Sequence, residues 1–178
     1  MEIIENEFLY LVNLWNEYKV LFGNENNLNI LNKNCGDCFH TIQHSMNNDM
    51  ILSLNRLLDP SKQHKNTNLV LESLLNKTSD SKKRKELEDK LEKIRDLRDN
   101  SNLKEIRNQR LAHSDITTRN KDGNFIVILI EYDAVDNILH GMSDFLNNIN
   151  SIVFGTYVEY LDLINVTSCQ DLVDALDK

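Results

Sequence analysis

Residues 4–22 read IENEFLYLVNLWNEYKVLF, and their large apolar side chains recur with the period of an α-helix. Steps of three and four residues place six of them on one stripe, which is the pattern of a helix that buries one face. The six positions are Ile4, Phe8, Leu11, Trp15, Tyr18 and Phe22. The sequence therefore predicts a long first helix that packs against other elements.

Similar stripes continue along the chain. One predicts a helix over residues 35–58 that ends before Pro60, because proline disfavours helical backbone at the residue before it. Another predicts a helix from Val135 toward Ile164, followed by a short helix that Ser168 caps. Between them we expect a polar loop over residues 61–66, a short helix near residues 69–75 capped by Asn66 or Thr67, and a helical region from Ser81 to Leu111. That region is one helix, or two if Asn102 and Glu105 cap a second one.

Residues 116–132, ITTRNKDGNFIVILIEY, depart from the helical pattern. Asp122-Gly123 is a turn signal, and FIVILI is a β-branched apolar run without helical gaps. The sequence predicts a small β-hairpin or edge strand here, inserted into an all-α antiparallel helical bundle.

The composition fits a bundle of this kind. The chain has 178 residues with a single proline and five glycines, so we expect one helical domain over residues 1–178. It lacks a signal-like start and any apolar run of membrane-spanning length. Its three cysteines, an odd number in a reducing compartment, argue against a disulfide framework. We therefore expect a soluble, cytoplasmic protein that does not bind membranes.

The charge is distributed unevenly. The net charge is −8, yet residues 82–110 hold 11 basic and 7 acidic residues, a net charge of +4. This pattern indicates a basic surface on an acidic body, although mixed runs such as KKRKELEDKLEKIRD are more often a solvated helix face.

Two groups of polar residues are candidate sites in the first half of the chain. Cys35, Cys38, His40 and His44 are all zinc-ligand types, but they fall at the start of a periodic helix that cannot fold them around one ion, so we expect no metal and no cofactor. Asp49, Ser53 and Arg56 share one helical face. We favour a structural polar line or an Asp49–Arg56 link over a phosphate-binding role, in which Asp49 would support Arg56.

Residues 107–115, RNQRLAHSD, carry the functional hypothesis. Arg107, Asn108 and His113 resemble the Arg-polar-(x)-His signature of the HEPN superfamily, whose active members are metal-independent RNases. Together with NRLLDPS at residues 55–61, the segment looks most like the abortive-infection U-type (AbiU2-like) branch. The resemblance implies an endoribonuclease, in the role of a toxin or phage-defence component, with an antitoxin or other protein partner.

In that interpretation His113 is the general base or acid, and Arg107 binds the phosphate. Asn108 is a positioning group, and Arg110 is an auxiliary phosphate-binding cation. On a regular helix, Arg107 and His113 are about 600° apart and point about 120° away from each other. The two side chains converge on one phosphate only if the helix ends near His113 or if a second subunit completes the site, and we expect a homodimer.

Three alternatives remain open. In the first, which is structural, Arg107 pairs with a carboxylate and His113 caps its helix. In the second, the chain is a catalytically silent HEPN module that binds RNA, a nucleotide or a protein. In the third, it is a helical assembly protein.

Overall fold

The computed structural model describes residues 1–63, 66–108, 131–162 and 168–178. Helix α1 (Glu2–Phe22) is followed by α2 (Glu25–Leu58), and only Gly23 and Asn24 separate them. Glycine suits position 23, because a Cβ atom there would lie only 2.7 Å from the Lys19 carbonyl oxygen. Asn24 caps α2, since its side-chain oxygen accepts from the backbone N–H of Asn26 at 2.8 Å. The two helices therefore pack side by side in opposite directions.

The second helix contains one break. Cys35 has φ −159° and ψ 68°, which is not helical, so α2 consists of two helical segments that meet there. The second segment confirms the helix predicted over residues 35–58. The long segment ends at Leu58, with extended backbone at Asp59 (ψ 158°) as expected for a residue before proline.

The middle of the chain is built from short elements. Strands β1 (Lys62–Gln63) and β2 (Asn66–Thr67) form a small antiparallel pair where we expected only a polar loop. A 3-10 helix (Leu71–Lys77) follows, and Val70 rather than Asn66 or Thr67 precedes its first residue. The predicted cap was therefore wrong, because the strand pairing uses both residues.

The third helical region is two helices. Helix α3 (Ser81–Asn100) ends at Ser101, and α4 (Leu103–Ile106) begins after Asn102. Asn102 adopts the left-handed conformation (φ 59°) and its side chain makes no capping bond, so the predicted capping arrangement was wrong. Asparagine tolerates this conformation better than most residues, which explains why the break falls there.

Helix α5 (Tyr132–Phe154) stops at Gly155, whose φ of 67° reverses the chain. We expected continuation toward Ile164, but the following segment folds back instead. Asn147 accepts from the Val158 N–H at 2.9 Å and donates to the Val158 carbonyl at 3.1 Å. Tyr160 then donates to Glu5 at 2.5 Å, which links α1 to a residue 155 positions away.

The last helix, α6 (Cys169–Leu176), closes the bundle. Ser168 caps it together with Asp171, as predicted. Its start contacts the first two helices, because the Cys169 N–H donates to Glu17 at 2.7 Å and Asn27 donates to Gln170 at 3.0 Å.

One continuous core includes residues from α1, α2, α3, α5 and α6, so the protein is an all-α helical bundle. All six residues of the α1 stripe are buried in it. Trp15 links α1 to α5, since its indole N–H donates to Asp136 at 2.6 Å. The predicted β insertion at residues 116–132 lies almost entirely outside the described residues. Within those residues, no helix combines the length and apolar character needed to cross a membrane.

Candidate functional site

An open cleft of about 470 Å³ lies between α1, the end of α2 and the chain that follows β2. Two guanidiniums and two carboxylates line it, from Arg56, Arg107, Glu7 and Asp59. Its remaining walls are mostly apolar and come from Ile3, Leu57, Asn68, Leu69 and Val70. The cleft therefore brings Arg56 and Arg107, which are 51 positions apart in the sequence, to one surface.

Arg107 reaches the cleft because of the break between α3 and α4. Asp99 stabilises that break by accepting from Arg98 at 2.7 Å and Lys104 at 3.1 Å. Burial opposes ionisation of Asp99, but these hydrogen bonds outweigh it and lower its pKa. Asn55, which is fully buried, donates to the Leu103 carbonyl at 3.2 Å and so ties α4 to α2.

The guanidinium of Arg107 has two described contacts. Its Nη2 donates to Asp59 Oδ2 at 3.0 Å, and its Nη1 donates to Asn108 Oδ1 at 3.0 Å. A guanidinium has five N–H donors, so these bonds orient the group without exhausting it. Pairing with a carboxylate is what the structural alternative predicted. The pair nevertheless lines an open cleft, because the Arg107 side chain keeps 31% of its surface exposed.

Asp59 is itself held in place by Arg95. The Arg95 guanidinium donates to the carbonyl oxygens of Leu58 at 3.0 Å and Asp59 at 3.4 Å, and it lies 3.6 Å from Glu72. Burial opposes ionisation of Glu72, but hydrogen bonds from Ser61 and Arg95 outweigh it and lower its pKa. Sequence reasoning missed Asp59 and Arg95. The available signal was an acidic residue directly before the proline that ends α2.

The polar line on α2 has different partners from those expected. Arg56 forms an ion pair with Glu7, and Asp49 accepts a hydrogen bond from Tyr10. Ser53 lies 3.5 Å from Asp49 within the helix, which is the one intrahelical contact of this group. The favoured Asp49–Arg56 link is thus replaced by two bonds to α1, because both side chains face that helix.

The basic run on α3 is a solvated helix face. Arg84 pairs with Glu88 at 3.1 Å and Lys85 with Asp89 at 3.0 Å, each four residues apart on exposed surface. Pairs of this kind neutralise one another and contribute little to stability. The alternative that we favoured for this run therefore holds.

The cysteine–histidine segment is spread along α2. Cys35 and Cys38 are exposed thiols, and the His44 ring lies 3.1 Å from the side chain of Asn48. The described residues contain no group of three or more His, Cys, Asp or Glu side chains that could hold a metal ion.

Two predicted site residues, Arg110 and His113, lie outside the described residues. Arg107 and Asn108 leave the regular α-helix and adopt π-helical conformation. Arg107 keeps right-handed helical backbone (φ −57°, ψ −47°), and the path from there to His113 lies outside the described residues. Convergence of Arg107 and His113 therefore stays a prediction.

Comparison with known families identifies the family of this chain. The family model HEPN_AbiU2, described as AbiU2, matches residues 2–172. No curated protein and no solved structure matches the chain. The matched range includes all the helices through α5, both segments that carry the resemblance, and the cleft.

Proposed function

The chain belongs to the AbiU2 family of HEPN proteins, and we propose that it is a metal-independent endoribonuclease that binds RNA in the cleft described above. The supporting observation is that Arg107, the first residue of the Arg-polar-(x)-His segment, lines the same cleft as Arg56. Two guanidiniums on one surface suit a phosphodiester, because each planar fork can bind two phosphate oxygens. Family membership supports the further proposal of a toxin or phage-defence role.

The proposed reaction uses the substrate's own 2′-hydroxyl. Its oxygen bonds to the adjacent phosphorus while the bond from phosphorus to the 5′-oxygen breaks. His113 takes the proton from the 2′-hydroxyl, since an imidazole exchanges protons near neutral pH, and a proton returns to the 5′-oxygen. Arg107 stabilises the charged phosphorane, Asn108 orients the Arg107 side chain, and Arg110 contributes a further cation. The products are a 2′,3′-cyclic phosphate and a 5′-hydroxyl.

Arg56 binds a neighbouring phosphate in this proposal, and Asp49 supports the binding surface through Tyr10. A phosphate must displace Glu7 from Arg56, because the two are paired in the unliganded protein. Asp59 acts differently. Its side chain is only 19% exposed and its backbone is held by Arg95, so it stays in place and positions Arg107.

A homodimer remains part of the proposal, because two copies of the motif at a two-fold axis would form a shared cleft. Light scattering at micromolar concentration tests it. A strictly monomeric protein would restrict the site to one chain.

A silent RNA-binding module is the second candidate. The pairing of both cleft arginines with carboxylates favours it, because such pairs bind phosphate by exchange without providing catalysis. An antitoxin or other protein partner is compatible with either function.

One experiment decides between cleavage and silent binding. Purified protein is incubated with RNA in excess EDTA, and the product ends are mapped. We expect cyclic phosphate ends, no loss of activity with EDTA, and complete loss in His113→Ala. Arg107→Ala should lower the rate by about 100- to 1000-fold, the range for a lost charge-stabilising donor.

His140→Ala is the matched control, because this exposed histidine lies on α5 and contacts the carbonyl of Asp136. Activity that requires magnesium, or that persists in His113→Ala, would contradict the proposed mechanism.

A further inference from the structure

The surface around the cleft carries several exposed apolar side chains. Ile3 and Leu69 line the cleft, Leu52 lies one turn before Arg56, and Tyr10 lies one turn after Glu7. Their exposed fractions range from 44% for Leu52 to 62% for Ile3. Single exposed apolar residues are common on proteins, but here two of them line the cleft with both guanidiniums, and two more lie one turn from a member of the Arg56–Glu7 pair.

Tyr10 is held in a defined position on this surface. Its hydroxyl donates to Asp49 on α2, and Asp49 also lies 3.5 Å from Ser53. The hydrogen bond to Asp49 raises the Tyr10 pKa. Arg56 pairs with Glu7, which lies one turn before Tyr10 on α1, so the ring lies beside that ion pair. Because the hydroxyl is engaged and 47% of the residue is exposed, the ring itself is the part available to a ligand.

The charges of the cleft are balanced. Two guanidiniums face two carboxylates, and Asp49 adds a third negative group beside them. Among the described residues of the cleft, attraction of phosphates by charge alone is therefore weak, since the carboxylates offset the guanidiniums and a phosphate competes with Glu7 for Arg56. RNA bound here needs a second source of affinity, and exposed ring and apolar surfaces beside a cation provide it through contact with bases.

We infer that Tyr10, together with Leu52, forms a base-stacking platform beside Arg56, and that the RNA bound in the cleft is single-stranded. This inference rests on the proposed function. Ile3, Glu7 and Tyr10 lie on one face of α1 and span about 10 Å along it, so a strand crossing this face meets apolar, charged and aromatic groups in turn. A duplex hides its base faces within the stack, whereas a single strand exposes them to an aromatic side chain.

The test uses His113→Ala protein, which does not cut its ligand if the proposed chemistry holds. A single-stranded RNA containing 2-aminopurine is titrated into this protein and into versions that also carry Tyr10→Ala or Tyr10→Phe. Tyr10→Ala should weaken binding at least about tenfold, the effect of losing one stacked base, and should abolish quenching of the 2-aminopurine fluorescence. Tyr10→Phe keeps the ring and should retain the quenching.

Tyr157→Ala is the matched control, because this tyrosine is 67% exposed and lies beyond the end of α5. It should bind as the parent does, and a duplex of the same sequence should bind at least about tenfold more weakly than the single strand. Equal binding by Tyr10→Ala and Tyr157→Ala would overturn the platform. Equal binding of duplex and single strand would overturn the substrate class.

The outcomes separate this inference from the nuclease proposal. Cleavage by the unmodified protein, combined with unchanged binding in Tyr10→Ala, overturns the platform alone. Tyr10-dependent binding without cleavage supports the platform and refutes the nuclease. If Tyr10→Ala leaves RNA binding intact but converts an oligomer into a monomer, the surface is a protein interface and the inference is wrong.

Discussion

Removal of the Asp59 carboxylate separates a positioning role of the Arg107–Asp59 pair from a purely structural one. The two groups are 3.0 Å apart, and their side chains are 31% and 19% exposed, respectively. Exposed ion pairs contribute about 0.2–1 kcal/mol, and breaking buried ones costs about 3–5 kcal/mol. This half-buried pair lies between those limits, so Asp59→Asn should lower the free energy of unfolding by about 1–2 kcal/mol.

The effect on cleavage should be larger than the effect on stability. Asparagine has the shape of Asp59 but lacks the charge that fixes the guanidinium, so Arg107 loses its orientation toward the phosphate. A displacement of about 1 Å at a reacting centre costs about 100-fold in rate, and we expect a loss of this order in Asp59→Asn. The cleavage rate of Arg107→Lys should fall by a similar factor, because the lysine ammonium lacks the planar fork of a guanidinium.

Urea unfolding measures the change in the free energy of unfolding. Trp15 is the fluorescence probe, because it is the single tryptophan, is buried and is bonded to Asp136 on α5. A double-mutant cycle of Asp59→Asn and Arg107→Ala should give a coupling energy of about 1 kcal/mol. Asp144→Asn, on the exposed face of α5, is the matched control. If the coupling energy is about 1 kcal/mol but Asp59→Asn cleaves RNA at an undiminished rate, the pair is purely structural and its proposed positioning role is wrong.

Other predictions concern charges and thiols. Glu7→Gln removes the group that competes with phosphate for Arg56, so RNA affinity in a filter-binding titration should rise by up to about fivefold; a decrease would show that Glu7 positions Arg56 instead. Burial and the neighbouring Tyr18 raise the pKa of Tyr132 to about 12. The Tyr132 hydroxyl therefore loses its proton at a lower pH in the unfolded chain than in the folded protein. Stability should be retained below about pH 10 and decline between about pH 10 and about pH 12, measured as the urea midpoint; a flat profile would contradict the burial argument. Burial and the Glu17 carboxylate raise the Cys169 pKa to about 11, so an aromatic disulfide reagent at neutral pH should modify the two exposed cysteines quickly and Cys169 slowly. Fast modification of all three would refute it.

The sequence predicted best those elements that local periodicity controls. The α1 stripe is buried at all six positions, and α2 ends before Pro60 as expected. The break at Asn102 was one of the two alternatives that the sequence left open, whereas the predicted continuation of α5 toward Ile164 was wrong. Asn102 and Gly155 both adopt positive φ, and the apolar pattern continues across both positions. Periodicity records which face is buried, and it does not record where the backbone reverses.

The candidate site was predictable in part. The Arg-polar-(x)-His segment and NRLLDPS identified Arg107 and Arg56, and the fold brings both to one cleft. Their partners Glu7 and Asp59 were not identified, because contacts between helices depend on how the helices pack and not on spacing within one helix. Tyr10 was missed for the same reason. It lies outside the buried stripe of α1, and its bond to Asp49 exists only because α2 packs beside α1.

The bond between Glu5 and Tyr160 has a consequence for synthesis of the protein on the ribosome. The groups that complete the α1 surface, including Asp136 for Trp15 and Tyr160 for Glu5, lie more than 100 residues further along the chain. Domains complete their packing only after their late segments have emerged, and α1 and α2 therefore form an early hairpin whose apolar faces stay exposed meanwhile. During that interval we expect the growing chain to expose apolar surface of the kind that chaperones bind. A translation-arrested chain that ends before α5 should thus be protease-sensitive within α1, and a chain released after α6 should not.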